Sequence, residues 1–210
     1  MTHIALFGAT GTIGREILKQ SLENGHSVQA LVRDSTRIGA RPGLTVIQGD
    51  ATDVAVVSRA IAGADAVIDA IGPRANVPEA VDVQVATMTV ILGAMRQHGA
   101  VRIIAVTGAA ISLESDERVV AHRIAGAVVR RLVRHVVEAK RREFELLRVS
   151  DREWIAVRPT RVVPRPGRGT LRVDRHRPTG MTIRVADLAA FILSQLESDE
   201  YVRAAPFVSS

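Results

Sequence analysis

The stretch Ile4-Ala5-Leu6-Phe7-Gly8-Ala9-Thr10-Gly11-Thr12-Ile13-Gly14 decides the fold of this chain of 210 residues. The apolar run at 4–7 predicts a buried strand, and residues 13–23 follow with a helical pattern that places Ile17 and Leu18 on one apolar face. Between them lie three glycines at the spacing Gly-x-x-Gly-x-x-Gly. A glycine-rich turn between a buried strand and a helix is typical of βαβ units that bind dinucleotides.

Each glycine of this turn has its own physical reason. Gly8 allows the tight turn that leaves the strand, Gly11 lets the backbone approach a pyrophosphate, and Gly14 lets the helix pack close to the strand. The N–H groups of the first helical turn then point at the phosphates, and the helix dipole supports them. We therefore predict a phosphate-binding turn rather than an empty one. Its residues are Gly8, Thr10, Gly11, Thr12, Ile13 and Gly14.

The rest of the chain continues the alternation of short apolar runs and helical patterns, which predicts parallel βαβ units. We therefore predict one α/β domain over 1–210, with a Rossmann-type, doubly wound parallel sheet. Residues 160–180 are rich in Arg, Pro and Gly and lack periodicity, so we predict a small C-terminal substrate lobe there. Asp187 is expected to be the N-cap of the last helix, and the tail to add an edge strand. The further predicted strands are 28–32, 44–48, 66–70, 101–106 and 154–157, and the further predicted helices are 54–61, 81–97, 118–149 and 187–196.

Composition excludes several classes of site. The chain has no cysteine, which excludes disulfides, thiolate nucleophiles and zinc-cysteine sites. Its six histidines are scattered, so we predict no metal site. No run of about 18 apolar residues occurs, and the N-terminus has no basic segment before its apolar run. We therefore expect a cytoplasmic protein without a membrane span.

The chain is basic, with a formal net charge of +6 and 26 arginines against 2 lysines. A basic balance suits nucleic acid, an anionic membrane or an anionic cofactor, and an arginine bias of the genome explains much of it. The arginine-rich helix predicted at 118–149 contains one aromatic residue, Phe144, and therefore no platform for stacking bases. We predict no nucleic-acid partner.

The residues after the second predicted strand choose between the two nicotinamide cofactors. NAD favours an acid there for the ribose hydroxyls, whereas the 2′-phosphate of NADP favours arginine. Arg33 and Arg37 are expected to bind this phosphate, with Ser35 or Thr36 as a hydroxyl donor. Asp34 is the counter-argument, because an acid directed at the ribose would suit NAD. We predict NADP(H) in preference to NAD(H).

Further cofactor contacts are expected at the other strand ends, because ligands of open parallel sheets gather at the carboxyl ends of the strands. Any one of these positions could instead be a plain loop residue. The predicted contacts are Asp50 and Ala51 near the adenine, and Ala70, Ile71, Gly72, Thr107 and Pro159 along the rest of the cofactor.

Several motifs resemble the atypical short-chain dehydrogenase/reductases, and within them the NAD(P)H-binding, NmrA-like branch that includes biliverdin-IXβ and flavin reductases. The resemblance spans most of the chain and is weakest at 109–135 and 160–180. It implies a Rossmann fold and NAD(P)H binding. Besides the glycine turn, the motifs are Leu31-Val32-Arg33-Asp34, Gly49-Asp50-Ala51-Thr52-Asp53, Trp154-Ile155-Ala156-Val157-Arg158-Pro159 and Ile183-Arg184-Val185-Ala186-Asp187-Leu188-Ala189.

The chain departs from the wider family at its catalytic pair. That pair is Tyr-x-x-x-Lys, in which the tyrosine is the acid/base. Lys140 lies in register with the lysine, but Val136 stands where the tyrosine would be. The reductases of the resembled branch manage without the tyrosine, but their serine and histidine correspond to Gly108 and Phe144 here. Reversible alcohol–ketone chemistry by the usual route is therefore not expected.

Hydride transfer to a flavin or quinone depends on proximity more than on a protein acid, because solvent can supply the proton. We therefore predict an NADPH-dependent reductase of such a planar acceptor, with FMN as a candidate substrate, acting as a monomer or homodimer. Thr107 and Lys140 are the candidate catalytic residues; alternatively, Thr107 caps a loop and Lys140 is a solvated surface lysine. The alternative function is a non-catalytic NADP(H)-sensing regulator of NmrA type. An epimerase acting on a nucleotide sugar is disfavoured because it needs the tyrosine.

The predicted lobe offers many cations to an anionic acceptor, such as the phosphate of FMN or a propionate. Alternatively, it is a mobile loop. Its candidate residues are Arg161, Arg165, Arg168, Arg172, Arg175, His176 and Arg177.

Overall fold

The computed structural model describes residues 1–73, 75–117 and 132–210. The strands in these ranges are β1 (His3–Phe7), β2 (Ser27–Val32), β3 (Leu44–Gln48), β4 (Ala66–Asp69), β5 (Arg102–Val106), β6 (Glu153–Pro159), β7 (Arg161–Val163), β8 (Arg172–Asp174), β9 (Thr182–Arg184) and β10 (Phe207–Ser209). The helices are α1 (Thr12–Glu23), α2 (Val54–Ile61), α3 (Glu79–His98), α4 (Arg134–Val149) and α5 (Val185–Ser194).

The main sheet has eight strands in the order β3-β2-β1-β4-β5-β6-β10-β8. The first six strands of the chain pair in parallel, and this part of the order, 3-2-1-4-5-6, is the Rossmann order. The predicted Rossmann-type α/β fold is therefore confirmed. The strand order reverses between β1 and β4, which pair along Ile4–Phe7 and 66–69. A crevice for a ligand is expected outside the carboxyl ends of these two strands.

Helices cover both faces of the sheet because each central strand is apolar on both sides. On one face, Val57 of α2, Met88 of α3 and Phe144 of α4 belong to one buried cluster. On the other face, Ile17 of α1 and Ile192 of α5 belong to a second. Burial of apolar area stabilises the fold by about 25 cal/mol per Å². The two clusters therefore hold the helices against the sheet and keep the strand ends in fixed positions.

The C-terminal part differs from its prediction in the position of the tail strand and in the structure of the lobe. The tail strand β10 lies inside the sheet, parallel to β6 and antiparallel to β8, so β8 and not the tail is the edge strand. The lobe at 160–180 contains β7 and β8, and β7 pairs with β9 in a small second sheet. The predicted helix over 118–149 is described only from residue 132, with α4 beginning at Arg134; residues 118–131 lie outside the described ranges.

Asp187 was predicted as an N-cap, and this prediction is wrong. Helix α5 begins at Val185, and Asp187 is a buried residue of its first turn. Its Oδ1 accepts hydrogen bonds from the backbone N–H groups of Arg168 and Gly169, at 2.9 and 3.0 Å. Asp187 therefore fixes the lobe to α5. None of the helices in the described ranges is long and apolar enough to cross a membrane.

Candidate cofactor and substrate site

The glycine turn is packed so tightly that two of its glycines leave no room for a side chain. Gly8 has a φ of 81°, and a Cβ there would lie 2.6 Å from the carbonyl carbon of Ala70. A Cβ on Gly14 would lie 2.1 Å from the carbonyl oxygen of Gly8. At Gly11 the nearest atom would be 3.4 Å away, an ordinary contact. The turn therefore brings the start of α1 close to the ends of β1 and β4, where a phosphate would lie.

The N-terminus of α1 has no cap from a side chain. Its N-cap residue is Gly11, and the first turn contains no acidic residue. By contrast, α2 is capped by Asp53, whose Oδ1 accepts from the N–H groups of Ala55 and Val56 at 2.9 and 3.1 Å. Uncapped N–H groups at a helix N-terminus bind anions well, since the helix dipole adds to their positive potential. The turn therefore suits a pyrophosphate.

A first cleft of about 510 Å³ opens at the predicted crevice. Eight of the predicted cofactor residues line it. They are Gly8, Thr10, Arg33, Arg37, Asp50, Ala51, Ile71 and Gly72. Its opposite wall comes from α3, through Ala80, Val83, Gln84 and Thr87, which sequence reasoning missed. The apolar residues along 80–87 were the only signal for this wall, and they equally predict packing against a core.

The loop after β2 uses its acid internally. The carboxylate of Asp34 accepts from the N–H and the hydroxyl of Thr36, at 3.0 and 2.6 Å, and caps a short 3₁₀ turn over Ser35–Arg37. The hydrogen bonds from Thr36 lower the pKa of Asp34. The hydroxyl of Ser35 donates to Oε1 of Gln48 at 2.6 Å. The predicted role of Ser35 or Thr36 as a phosphate donor is therefore not supported, because both hydroxyl hydrogens are already engaged.

A second cleft of about 390 Å³ lies between the end of β5, helix α4 and the lobe. The predicted residues Thr107, Lys140 and Pro159 line it. Val136, which replaces the family's tyrosine, lines it as well, one helical turn before Lys140. Phe144 points away into the core, where its ring meets Trp154 edge to face at 5.6 Å. In the described ranges this cleft therefore contains no tyrosine or histidine acid.

The hydroxyl of Thr107 donates to the carbonyl oxygen of Val157 at 3.0 Å. This bond joins the end of β5 to β6, and among the described residues the hydroxyl does not cap the following loop, which was the alternative for Thr107. With its hydrogen engaged, Thr107 Oγ1 can still accept a hydrogen bond from a ligand in the second cleft, but it cannot donate one.

Lys140 connects the two clefts. Its Nζ donates to the carbonyl oxygen of Ile71 at 2.6 Å, and Ile71 lines the first cleft. Nζ also donates to Oε2 of Glu143 at 2.8 Å, and the side chain of Lys140 is only 7% exposed. The alternative of a solvated surface lysine is therefore wrong.

Two buried acids accompany Lys140, and sequence reasoning missed both. Glu143 is fully buried and accepts from Nε2 of Gln84 at 2.5 Å as well as from Lys140. Asp69, at the end of β4, is fully buried too, and its Oδ1 accepts from the N–H of Ile71 at 2.8 Å. The only sequence signal was an acid at the end of the apolar run 66–71.

Burial raises the pKa of Glu143 from its usual 4.5 to about 7, against the opposing effect of the Lys140 charge. Asp69 adds to this shift, and burial raises the pKa of Asp69 as well. The charge of this buried cluster of carboxyl groups therefore changes with pH near neutrality.

This burial predicts how stability varies with pH. A carboxyl with a raised pKa binds its proton more tightly in the folded than in the unfolded chain, so the free energy of unfolding falls as pH rises from about 4.5 through about 7. In the Glu143→Gln variant the side chain stays neutral at every pH. The fall in the free energy of unfolding should therefore be smaller than in the wild type by about 1–3 kcal/mol. The measurement is urea unfolding at pH 5, 6, 7 and 8. Glu145→Gln on the exposed side of α4 is the control, and parallel curves for Glu143→Gln and the wild type would contradict the prediction.

Most of the lobe cations lie outside both clefts. Of the seven predicted residues, Arg161 alone lines either cleft. The guanidinium of Arg175 bonds the carbonyl oxygen of Glu200, and Arg177 forms ion pairs with Asp174 and Glu117. Arg161 is exposed at the rim of the second cleft, and the structure shows no ion pair for it among the described residues.

The arginines of α4 are largely compensated on the same helix. Arg141 and Arg142 both bond Glu138, at 2.9 and 2.8 Å, and their hydrogen bonds lower the pKa of Glu138 to about 2. Arg148 pairs with Glu145 at 2.9 Å. Arg130 and Arg131 lie outside the described ranges. Arg141, Arg142 and Arg148 therefore have acidic partners on their own helix, whereas Arg134 donates to the imidazole of His135.

Arg158 is a buried anchor that the sequence did not reveal. Its side chain is 1% exposed and makes two hydrogen bonds to the carboxylate of Asp116, at 2.7 and 2.8 Å. Three further bonds go to the carbonyl oxygens of Ala205, Ile111 and Arg175. Arg158 thus ties the loop after β5, which forms one wall of the second cleft, to the lobe.

Comparisons with known proteins identify the family and the fold of the chain. A family model described as NAD(P)H-binding matches residues 8–199. The isoflavone reductase homolog IRL of Zea mays is 29% identical over 111 residues, which cover 48% of this chain and 33% of that protein. The chain spans between 23% and 33% of the length of the curated relatives it matches.

Two solved structures share the fold over nearly their whole length. ChuY, an anaerobillin reductase from Escherichia coli O157:H7, has a TM-score of 0.84 at 20% identity and covers 99% of this chain and 97% of its own. A short-chain dehydrogenase/reductase from Veillonella parvula DSM 2008, in complex with NADP, has a TM-score of 0.83 at 18% identity. The match covers 100% of this chain and 94% of that protein.

Proposed function

The chain belongs to the NAD(P)H-binding family, and we propose that it is an NADPH-dependent reductase of a flavin, a quinone or a similar planar acceptor. The observation that carries the proposal is the junction of the two clefts. Ile71 lines the first cleft and accepts a hydrogen bond from Lys140, which lines the second. A dinucleotide in the first cleft would therefore end beside the space for an acceptor.

The residues of the first cleft fit NADP(H). The uncapped start of α1 suits the pyrophosphate, and the close packing at Gly8 and Gly14 leaves no room for a side chain at either position. Arg33 and Arg37 would hold the 2′-phosphate, and Asp50 and Ala51 would lie near the adenine. Asp34 lines this cleft as well, and Thr36 engages only its Oδ1, so the preference for NADP over NAD rests on the two arginines. The Veillonella parvula protein of the same fold was solved with NADP.

The second cleft suits an apolar, planar acceptor. Its walls include Ala109, Ile111, Val133, Val136, Val137 and Met181. When bound, the dihydronicotinamide supplies a hydride, so the protein need only orient the acceptor and provide a proton. Lys140 lines this cleft and would donate a proton from Nζ, and Thr107 Oγ1 can accept from an N–H of the acceptor. Arg161 at the rim would bind an anionic tail.

Cofactor choice should depend on Arg33. Loss of a charge-assisted hydrogen bond costs about 1.5–3 kcal/mol, so Arg33→Ala should weaken NADPH binding about 10- to 100-fold and leave NADH binding nearly unchanged. The measurement is fluorescence titration with both cofactors. Arg41→Ala, four residues beyond Arg37 and outside both clefts, is the matched control. Equal weakening for NADPH and NADH would argue against a 2′-phosphate site.

The reductase itself is tested by the oxidation of NADPH with a panel of acceptors: FMN, riboflavin and a short-chain quinone. FMN and riboflavin share a ring system and differ in the phosphate, so their ratio isolates the role of Arg161. We expect Arg161→Ala to raise the KM for FMN about tenfold and to leave riboflavin reduction unchanged. Arg165→Ala, in the same lobe but outside both clefts, is the control. A similar loss with both flavins would contradict binding of the tail by Arg161.

A non-catalytic sensor of NADP(H) is the second candidate, and Val136 in place of the catalytic tyrosine is the observation that favours it. A sensor binds NADPH and discriminates it from NADP⁺ but reduces none of the acceptors. Tight binding of NADPH without oxidation in the panel would therefore select the sensor.

A further inference from the structure

The cluster beneath the junction of the clefts contains two acids and one base. Asp69 comes from β4, and Lys140 and Glu143 come from α4. All three are buried, and Gln84 of α3 is the neutral polar neighbour. Two oxygen atoms of the acids, Oδ2 of Asp69 and Oε1 of Glu143, have no hydrogen-bond partner among the described residues.

Charge decides the protonation of this cluster. With both acids ionised, it would carry a net charge of −1 in the protein interior, where an uncompensated charge is costly. One added proton makes it neutral, and the two oxygens without partners are the places where that proton can reside. Two interacting acids then titrate as a pair rather than as separate residues. The raised pKa values of both acids agree with this conclusion.

We propose that Asp69 and Glu143 hold one proton between them and supply it, through Lys140 Nζ, to the acceptor in the second cleft. This inference rests on the proposed reductase function. Lys140 has the required position, because Nζ contacts Glu143 at 2.8 Å while its side chain lines the second cleft. Two of its three N–H groups are bound by Ile71 and Glu143, and one remains for a ligand.

The bound NADPH supplies the hydride, that is, two electrons and one hydrogen. The hydride forms one new bond on the acceptor. One N–H bond of Lys140 breaks, and the released proton forms the second new bond on the acceptor. The neutral amine then takes the proton of the acid pair, whose O–H bond breaks, and solvent later returns one proton to the pair. Asp69 and Glu143 are positioning residues in this step, since only Lys140 reaches the acceptor.

Infrared difference spectroscopy of the protein without cofactor tests the shared proton directly. We expect the wild type to show the C=O stretch of a buried protonated carboxyl at pH 6 that disappears by pH 9. Asp69→Asn and Glu143→Gln should each remove this band, because either change leaves one carboxylate opposite one ammonium. Glu145→Gln, an exposed glutamate of the same helix, should keep it. Absence of the band in the wild type, or its loss in only one of the two variants, would overturn the shared proton.

The pH profile of NADPH oxidation tests delivery of the proton. Asp69→Asn and Glu143→Gln should lower kcat at least about tenfold at pH 7, with the KM for NADPH unchanged. If the band behaves as expected but both variants retain wild-type kcat at every pH, delivery through Lys140 is overturned. If the wild type oxidises no NADPH, both the reductase function and the delivery of the proton are overturned. The infrared spectra still decide whether the two acids share a proton.

Discussion

Gly14→Ala should abolish detectable NADPH binding and lower the free energy of unfolding by about 3 kcal/mol or more. The new Cβ would lie 2.1 Å from the carbonyl oxygen of Gly8, which is backbone and part of the same turn. Relief requires α1 to move away from β1, and this movement would remove the N–H groups of its first turn from the pyrophosphate. Urea unfolding and fluorescence titration with NADPH are the two measurements.

Gly93→Ala is the matched control, because it is also a helical glycine but has no atom within 4 Å of the added Cβ. Alanine is the better helix former by about 1 kcal/mol, so this variant should be as stable as the wild type or more so, and should bind NADPH normally. Retention of NADPH binding by Gly14→Ala would show that the turn does not hold the cofactor as we describe.

Arg158→Met should destabilise the protein by about 3–5 kcal/mol, because it removes the buried guanidinium and leaves the carboxylate of Asp116, which is only 14% exposed, without its cation. It also removes the bonds that join the loop after β5 to the lobe. The variant should also bind the acceptor in the second cleft more weakly, whereas NADPH binding at the glycine turn should be affected less. Urea unfolding measures the first effect, and the KM for the acceptor the second.

The exposed pair of Arg148 and Glu145 gives the control for this prediction. Its two side chains are about half exposed, so Arg148→Met should change stability by less than about 1 kcal/mol. If Arg158→Met also lowers the free energy of unfolding by less than about 1 kcal/mol, the pair of Arg158 and Asp116 contributes no more than a surface pair.

The first half of the fold and the first cleft were predictable because both depend on local patterns. A buried apolar strand, a glycine turn and an amphipathic helix follow one another at 4–23, and parallel strands bring their carboxyl ends together. Arg33, Asp50 and Ile71 therefore line one cleft although they are distant in sequence. The family resemblance inferred from the motifs is confirmed by the match over residues 8–199.

The remainder depends on contacts that no local pattern encodes. The position of β10 between β6 and β8 is a pairing over long sequence distances. Asp187 has the residue type of an N-cap, but its carboxylate binds a loop about 19 residues away. Glu143 stands in the charged run Lys140-Arg141-Arg142-Glu143, and only the packing of α4 on α3 reveals that Lys140 and Glu143 are buried while Arg141 and Arg142 are exposed.

Anaerobic single-turnover oxidation of NADPH tests the proposed reductase most directly. The protein is preloaded with NADPH and mixed with FMN, and the loss of the near-ultraviolet absorbance of NADPH is followed together with the bleaching of FMN. We expect both signals to change in step, much faster than without protein, and more slowly when NADH replaces NADPH. Unchanged absorbance with FMN, riboflavin and quinone, although NADPH is bound, would contradict the reductase and leave the cofactor sensor.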